Sequence, residues 1–156
     1  MRLFKFLAVA ALAITAIPAL AQNAKDPALG TWKLNAAKSM LPAAYGVKES
    51  TRVYALTSKG LELTETQTTS KGETQVVKYA YRYDGKDYPV TGSPFYDALS
   101  VKEVEPLKAE STLKMKGAVV GHSVRSISKD GKTLTLNTML SIDGKEQKVT
   151  SVFDKQ

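Results

Sequence analysis

Ser128-Lys129-Asp130-Gly131-Lys132-Thr133-Leu134-Thr135-Leu136-Asn137-Thr138-Met139-Leu140-Ser141-Ile142-Asp143-Gly144-Lys145 holds a turn, a strand and a second turn. Leu134, Leu136, Leu140 and Ile142 share one face with Thr138, and Thr133, Thr135, Asn137, Met139 and Ser141 share the other. Strict alternation of this kind belongs to a half-buried β-strand. Glycine supplies the positive φ of a tight hairpin, and Asp-Gly is among the strongest short-range hairpin signals.

The same punctuation recurs along the chain, at Ser58-Lys59-Gly60, Ser70-Lys71-Gly72, Asp84-Gly85-Lys86 and Lys116-Gly117. The turn glycines at 60, 72, 85, 117, 131 and 144 lie 12, 13, 32, 14 and 13 residues apart. Short strands at that interval indicate an antiparallel meander, and the interval of 32 leaves room for two more strands around Pro106. Val77, Tyr79, Tyr81 and Tyr83 share one strand face. Tyr54 and Leu56 oppose Val53 and Ala55. Val149, Ser151 and Phe153 alternate with Thr150, Val152 and Asp154. Nine strands are expected, over 30–35, 49–58, 61–69, 74–83, 98–105, 110–116, 118–128, 133–142 and 146–154. No long stretch has a helical period; the best helical candidate is a turn or two in Ala36–Tyr45, before Gly46. Closure removes the two exposed edges of such a meander. The expected fold is therefore all-β, an up-and-down meander closing into a barrel of about 8–10 strands, with a two-sheet sandwich as the alternative. Residues 84–97, with two prolines and two more tyrosines, read as the one long irregular loop, suited to a lid or a binding role.

Residues 1–21 read as a secretory signal peptide: Arg2 and Lys5, an apolar run from Phe6 to Ile17, then Ala19-Leu20-Ala21 as the cleavage site. The run is too short for a membrane span, which needs about 20 residues, and no transmembrane anchor is expected. Residues 22–156 would form one exported domain, periplasmic or extracellular. The chain has no cysteine, which excludes disulfides, thiolate metal sites and a lipid anchor on a cleavage-site cysteine. The formal charge of +7 falls to +5 once Arg2 and Lys5 leave. It is carried mainly by scattered lysines, which promote solubility and blunt strand edges; an anionic envelope surface is a candidate weak partner.

Chemistry-bearing motifs are scarce. His122 is the single histidine; it alternates with Val120 and Val124, which could turn it inward, its plain reading is a strand histidine either buried with a partner or partly exposed, and it cannot build a transition-metal site alone. Ser123 would point to the opposite face. Asp84 with Asp87 and Glu103 with Glu105 are weak carboxylate pairs, and Glu62 shares a strand with Glu65 but not a face. No catalytic residue, metal site, cofactor or nucleic-acid partner is expected, and an enzymatic role has no support. The aromatic residues carry the remaining signal. Tyr79, Tyr81 and Tyr83 form a stripe that Tyr54, Phe153 and Trp32 could join, with Tyr88, Phe95 and Tyr96 on the 84–97 loop. Such a surface offers an apolar wall with hydroxyls and suits an amphipathic ligand. It equally suits a narrow barrel filled by its own side chains. Arg82 points away from this stripe.

Gly30-Thr31-Trp32-Lys33-Leu34 resembles the first strand of lipocalins and fatty-acid-binding proteins, the calycin group, and Val149-Thr150-Ser151-Val152-Phe153-Asp154-Lys155 resembles the last strand of the latter. More specifically, the chain is similar to small exported bacterial lipocalin-like proteins. The shared stretches are Trp32-Lys33-Leu34-Asn35 with Lys38-Ser39, Asp84 through Gly92, Ser128 through Thr135, and Phe153-Asp154-Lys155-Gln156. The resemblance implies a monomeric barrel closed at Gly30 and Trp32. It brings no activity. Fatty-acid-binding proteins hold a carboxylate with an Arg-x-Tyr on the last strand, where Ser151 and Phe153 stand here. Lipocalins pack a late arginine over the tryptophan; Arg125, two strands early, is the nearest candidate. The expected function is binding of a small apolar or amphipathic molecule inside the barrel. The alternative is a cavity-less envelope interaction or inhibitor protein acting through its basic surface and the 84–97 loop.

Overall fold

The structure, a computed structural model, describes residues 25–156. The expected signal segment 1–21 and its cleavage point lie outside the described residues. Ten strands of the described residues form one antiparallel sheet: β1 (Gly30–Leu34), β2 (Val47–Thr57), β3 (Gly60–Thr69), β4 (Thr74–Tyr81), β5 (Asp84–Pro89), β6 (Ala98–Glu105), β7 (Lys108–Met115), β8 (Ala118–Ile127), β9 (Thr133–Ile142) and β10 (Lys145–Lys155). The first strand pairs with the last, giving the order β4-β3-β2-β1-β10-β9-β8-β7-β6-β5. The two outer strands, β4 and β5, meet through an isolated bridge between Lys78 and Thr91, just past the end of β5. The result is a nearly closed calycin-like barrel rather than a sandwich.

The turns form where the glycines stand. Lys116-Gly117 and Asp143-Gly144 have positive φ at both residues (51° and 82°, 51° and 73°). That is the mirror-image turn whose twist matches the flanking strands. Ala36–Tyr45 contains two short 3₁₀ turns, Ala36–Lys38 and Ala43–Tyr45, the second ended by Gly46 in the left-handed region.

One expectation is corrected and another is resolved. The described residues form ten strands, not nine, because Asp84–Pro89 is β5 and not loop. A bulge between Asp84 and Asp87 interrupts its pairing with β6, and with Gly85 and Pro89 in so short a span it lacks a clean alternation. Only 90–97 remains irregular. His122 is exposed, not inward. Leu113 pairs with Gly121 while Lys114 pairs with Val119, a bulge in β8. The extra residue reverses the facing, so Gly121, Arg125 and Ile127 point in and His122 points out.

The meander places the turns at 58–59, 82–83, 106–107 and 128–132 at one end of the barrel, here the floor. The 70–73 turn, the 90–97 loop and the Ala43–Tyr45 turn lie at the other end, the mouth. Trp32, fully buried, anchors the floor. Its indole Nε1 donates to the Ala28 carbonyl at 2.7 Å, so the one polar atom of the ring is satisfied. The Lys155 ammonium sits 4.9 Å from the ring centroid. Gly30, at φ 116°, leaves room for it, since a Cβ there would meet Lys155 Cε at 3.2 Å. Thus a lysine of the last strand covers the tryptophan, and Arg125 lies elsewhere. Asn35 Nδ2 donates to Asp154 at 2.6 Å, and the Lys38 ammonium approaches the same carboxylate at 3.4 Å. Ser39 Oγ accepts from Val152 N–H at 2.9 Å. These contacts latch the segment after β1 onto β10.

Candidate functional site

Above the Trp32 floor the interior turns polar. Alternation along β2 sends Ser50, Arg52 and Tyr54 inward, and along β3 it sends Leu63, Glu65 and Gln67 inward. The hairpin register sets Arg52 opposite Glu65. Arg52 Nη1 lies 3.0 Å from Glu65 Oε2, with the two side chains only 7% and 4% exposed. The second carboxylate oxygen accepts from Ser50 Oγ at 2.6 Å and from Gln67 Nε2 at 3.1 Å. Arg52 Nη2 donates to Tyr79 Oη at 3.1 Å. Its guanidinium also lies 5.6 Å from the ring centroids of both Tyr54 and Phe153. Burial opposes the charged guanidinium, while the Glu65 carboxylate and the neighbouring phenols favour it, and the balance holds Arg52 charged.

Arg125 enters from β8 without a carboxylate of its own. Nη1 donates to Tyr81 Oη at 2.8 Å and Nη2 to Tyr83 Oη at 2.6 Å. Tyr83 in turn donates to Asp26 Oδ2 at 2.6 Å, which puts Asp26 one hydroxyl away from the arginine. The guanidinium lies 5.6 Å from the Tyr54 centroid and 5.7 Å from that of Tyr83. Burial raises the phenol of Tyr83 to about 12 and those of Tyr79 and Tyr81 well above the ordinary value. All three are therefore neutral acceptors near neutral pH. Among the described residues, neither Arg52 Nε nor Arg125 Nε has a hydrogen-bond partner.

A cavity of about 60 Å³ lies between these groups. It is lined by Arg52, Glu65, Arg125 and five tyrosines, by the aliphatic side chains of Leu99, Val101, Leu113, Leu136, Leu140 and Val149, and by the hydroxyls of Ser111, Ser123, Thr138 and Ser151. Tyr45 bridges this cavity to a cleft of about 280 Å³ at the mouth, walled by Gln67, Thr69, Gln75, Pro94 and Phe95 among others. The Tyr45 and Phe95 rings stack there, 5.7 Å apart. Burial, then the Glu65 charge, raises the phenols of Tyr45 and Tyr96.

Of the residues singled out from the sequence, Tyr54, Tyr79, Tyr81 and Tyr96 line the cavity. Tyr83 and Phe153 support the arginines from beside it, and Phe95 stands at the mouth. Tyr88 is not on the cavity wall; its ring is partly buried against the core and its hydroxyl donates to Asp84 at 3.0 Å. Sequence reasoning missed Arg52, Glu65, Arg125 and Tyr45. A period-two count contains the first three: Arg52 has the parity of Tyr54, Glu65 that of Leu61 and Leu63, and Arg125 that of Ile127.

No family model matches the sequence, and no curated protein matches it. Among solved structures, the chain is similar to zebrafish ileal bile acid-binding protein, in a crystal structure of its complex with cholic acid. That likeness has a TM-score of 0.51 at 14% identity and covers 83% of this chain and 99% of the other. It is a likeness of fold alone.

Proposed function

We propose that the chain is an exported binding protein, residues 22–156 after cleavage near Ala21, which takes up a small amphipathic molecule inside its barrel. The acidic group of the ligand faces Arg52 and Arg125, and its apolar part lies against Leu99, Val101, Leu113, Leu136 and Leu140. The observation that carries this reading is the pair of buried arginines, Arg52 and Arg125, with one carboxylate, Glu65, on the cavity wall among the described residues. Arginine cannot shed its proton in a protein, and a buried charge without a full set of partners is costly. An arriving anion supplies the missing acceptor. The fold likeness to a protein solved with a bile acid supports the same general reading.

Calorimetric titration with sodium cholate and with a series of sodium alkanoates tests it. At least one acid saturates at one site per chain, and Arg125→Leu weakens that acid at least tenfold while the near-ultraviolet circular dichroism persists. Saturation by none of these acids sinks the proposal, as does equal binding by the variant. For export, expression of the full chain in a Gram-negative host should yield a periplasmic product starting near Gln22; a product retaining Met1 in the cytosol contradicts it.

A further inference from the structure

Resting on the binding reading above, we infer that the ligand is a compact organic monoanion, a short-chain or single-ring carboxylate, and not a long-chain lipid. Three observations converge on this class. The first is size. Pockets for drug-sized molecules run to roughly 300–1,000 Å³, whereas this cavity is about 60 Å³. By that measure it holds several waters or one small acid. It cannot take an extended chain without displacing Tyr45, Tyr79 or Tyr96 from the wall.

The second is charge. Among the described residues, the ionised side chains of the cavity wall are Arg52, Arg125 and Glu65, which leaves one positive charge over. Asp26 reaches the site only through Tyr83. One carboxylate balances the wall, while a dianion would leave a buried negative charge in turn. The third is donor geometry. A guanidinium offers five N–H donors. Each of these two commits Nη1 and Nη2 to one acceptor apiece and leaves Nε open. Each Nη carries two N–H groups and has one acceptor here, so both arginines of the lining keep further N–H donors that a carboxylate's two oxygens can fill. The aliphatic part of the lining, Leu99, Val101, Leu113 and Leu140, would be poorly matched to an inorganic anion. It suits a short apolar body joined to the acid.

The test is calorimetry at constant ionic strength with sodium acetate, butyrate, hexanoate, benzoate, dodecanoate and palmitate, with benzyl alcohol and sodium sulfate as controls. Butyrate, hexanoate or benzoate is expected to bind at least tenfold more tightly than dodecanoate and palmitate, with the two controls at least tenfold weaker than the best acid. Val149→Ile narrows the cavity wall at a position paired with Thr138 rather than with an arginine, and should weaken benzoate more than acetate. Tighter binding of dodecanoate or palmitate overturns the size class and leaves the binding reading standing. Parity of benzyl alcohol with benzoate overturns the charge assignment, and parity of sulfate reduces the site to a simple anion trap. Should cholate alone saturate, the compact class is wrong while the binding reading survives. If no acid saturates, both fail together.

Discussion

The floor of the barrel and the girdle above it are built from the same strands and obey opposite rules. At the floor, Trp32 is fully buried and its single donor is matched by Ala28. Directly across the β1–β2 pairing from Trp32 the inward position holds Arg52, with Glu65 opposite it on β3 and Arg125 inward on β8. Two donors there stay open. An interior that needed only stability could use hydrophobic side chains throughout, and replacing buried ion pairs by well-packed apolar groups is often neutral or stabilising. The contrast separates a part that closes the barrel from a part that gives up stability for a polar cavity.

The largest predicted effects break each region in turn. Trp32→Ala should destabilise the chain by roughly 3–5 kcal/mol, the usual range for truncating a buried aromatic. Glu65→Ala should cost a similar amount, roughly 3–5 kcal/mol, because it leaves Arg52 buried without its counter-charge. Chemical denaturation measures both. The double variant Glu65→Leu with Arg52→Met distinguishes the mechanisms by recovering most of the loss, whereas no second change near Trp32 refills its volume. If the double variant is as unstable as Glu65→Ala, the girdle is a packing element like the floor.

Alkaline pH tests the girdle through its phenols. Burial raises the phenol of Tyr83 to about 12 and those of Tyr45, Tyr79, Tyr81 and Tyr96 above their ordinary value. The unfolded chain releases these protons near pH 10 while the folded chain retains them. Their contribution is complete below about pH 10 and is lost as pH rises through the folded values. Denaturation midpoints should therefore hold to about pH 10 and then fall, and tyrosinate absorbance should appear mostly with unfolding. Full tyrosinate absorbance in the folded state near pH 10 would contradict the buried girdle.

The smallest effect is at the underside of the floor. Lys155→Ala removes the ammonium over Trp32 and should cost about 0.5–1 kcal/mol, as exposed cation–π contacts do. Lys155→Arg should restore most of it. Indole fluorescence together with the denaturation midpoint reports both.

Much of the floor was legible in the sequence and little of the girdle was. Trp32, Asn35, Lys38, Ser39, Asp154 and Lys155 stand in the stretches that carried the family resemblance, and the structure gathers them at the seam where β1 meets β10. The strand count fell one short because β5 is interrupted by its bulge and ends at Pro89. The facing of His122 stayed open because parity counting cannot see the extra residue in β8. The arginines were overlooked for a different reason. Alternation was read from apolar residues, and charges were assigned outward by default. Yet the Ser58-Lys59 turn already sets the register that puts Arg52 opposite Glu65. The cavity's size lies beyond pattern reading altogether, because it depends on how the tyrosine rings turn against one another.

Residues 22–156 contain three arginines, Arg52, Arg82 and Arg125. Arg82 lies outside the girdle and donates to the Ser58 carbonyl. Nitrogen-15 NMR of the arginine Nε–H signals during titration with butyrate or benzoate therefore carries its own control. Saturable shifts of the Arg52 and Arg125 signals with an unmoved Arg82 are the predicted result. Shifts at Arg82 alone, or none at the buried pair while the acid binds, would contradict an anion site within the girdle.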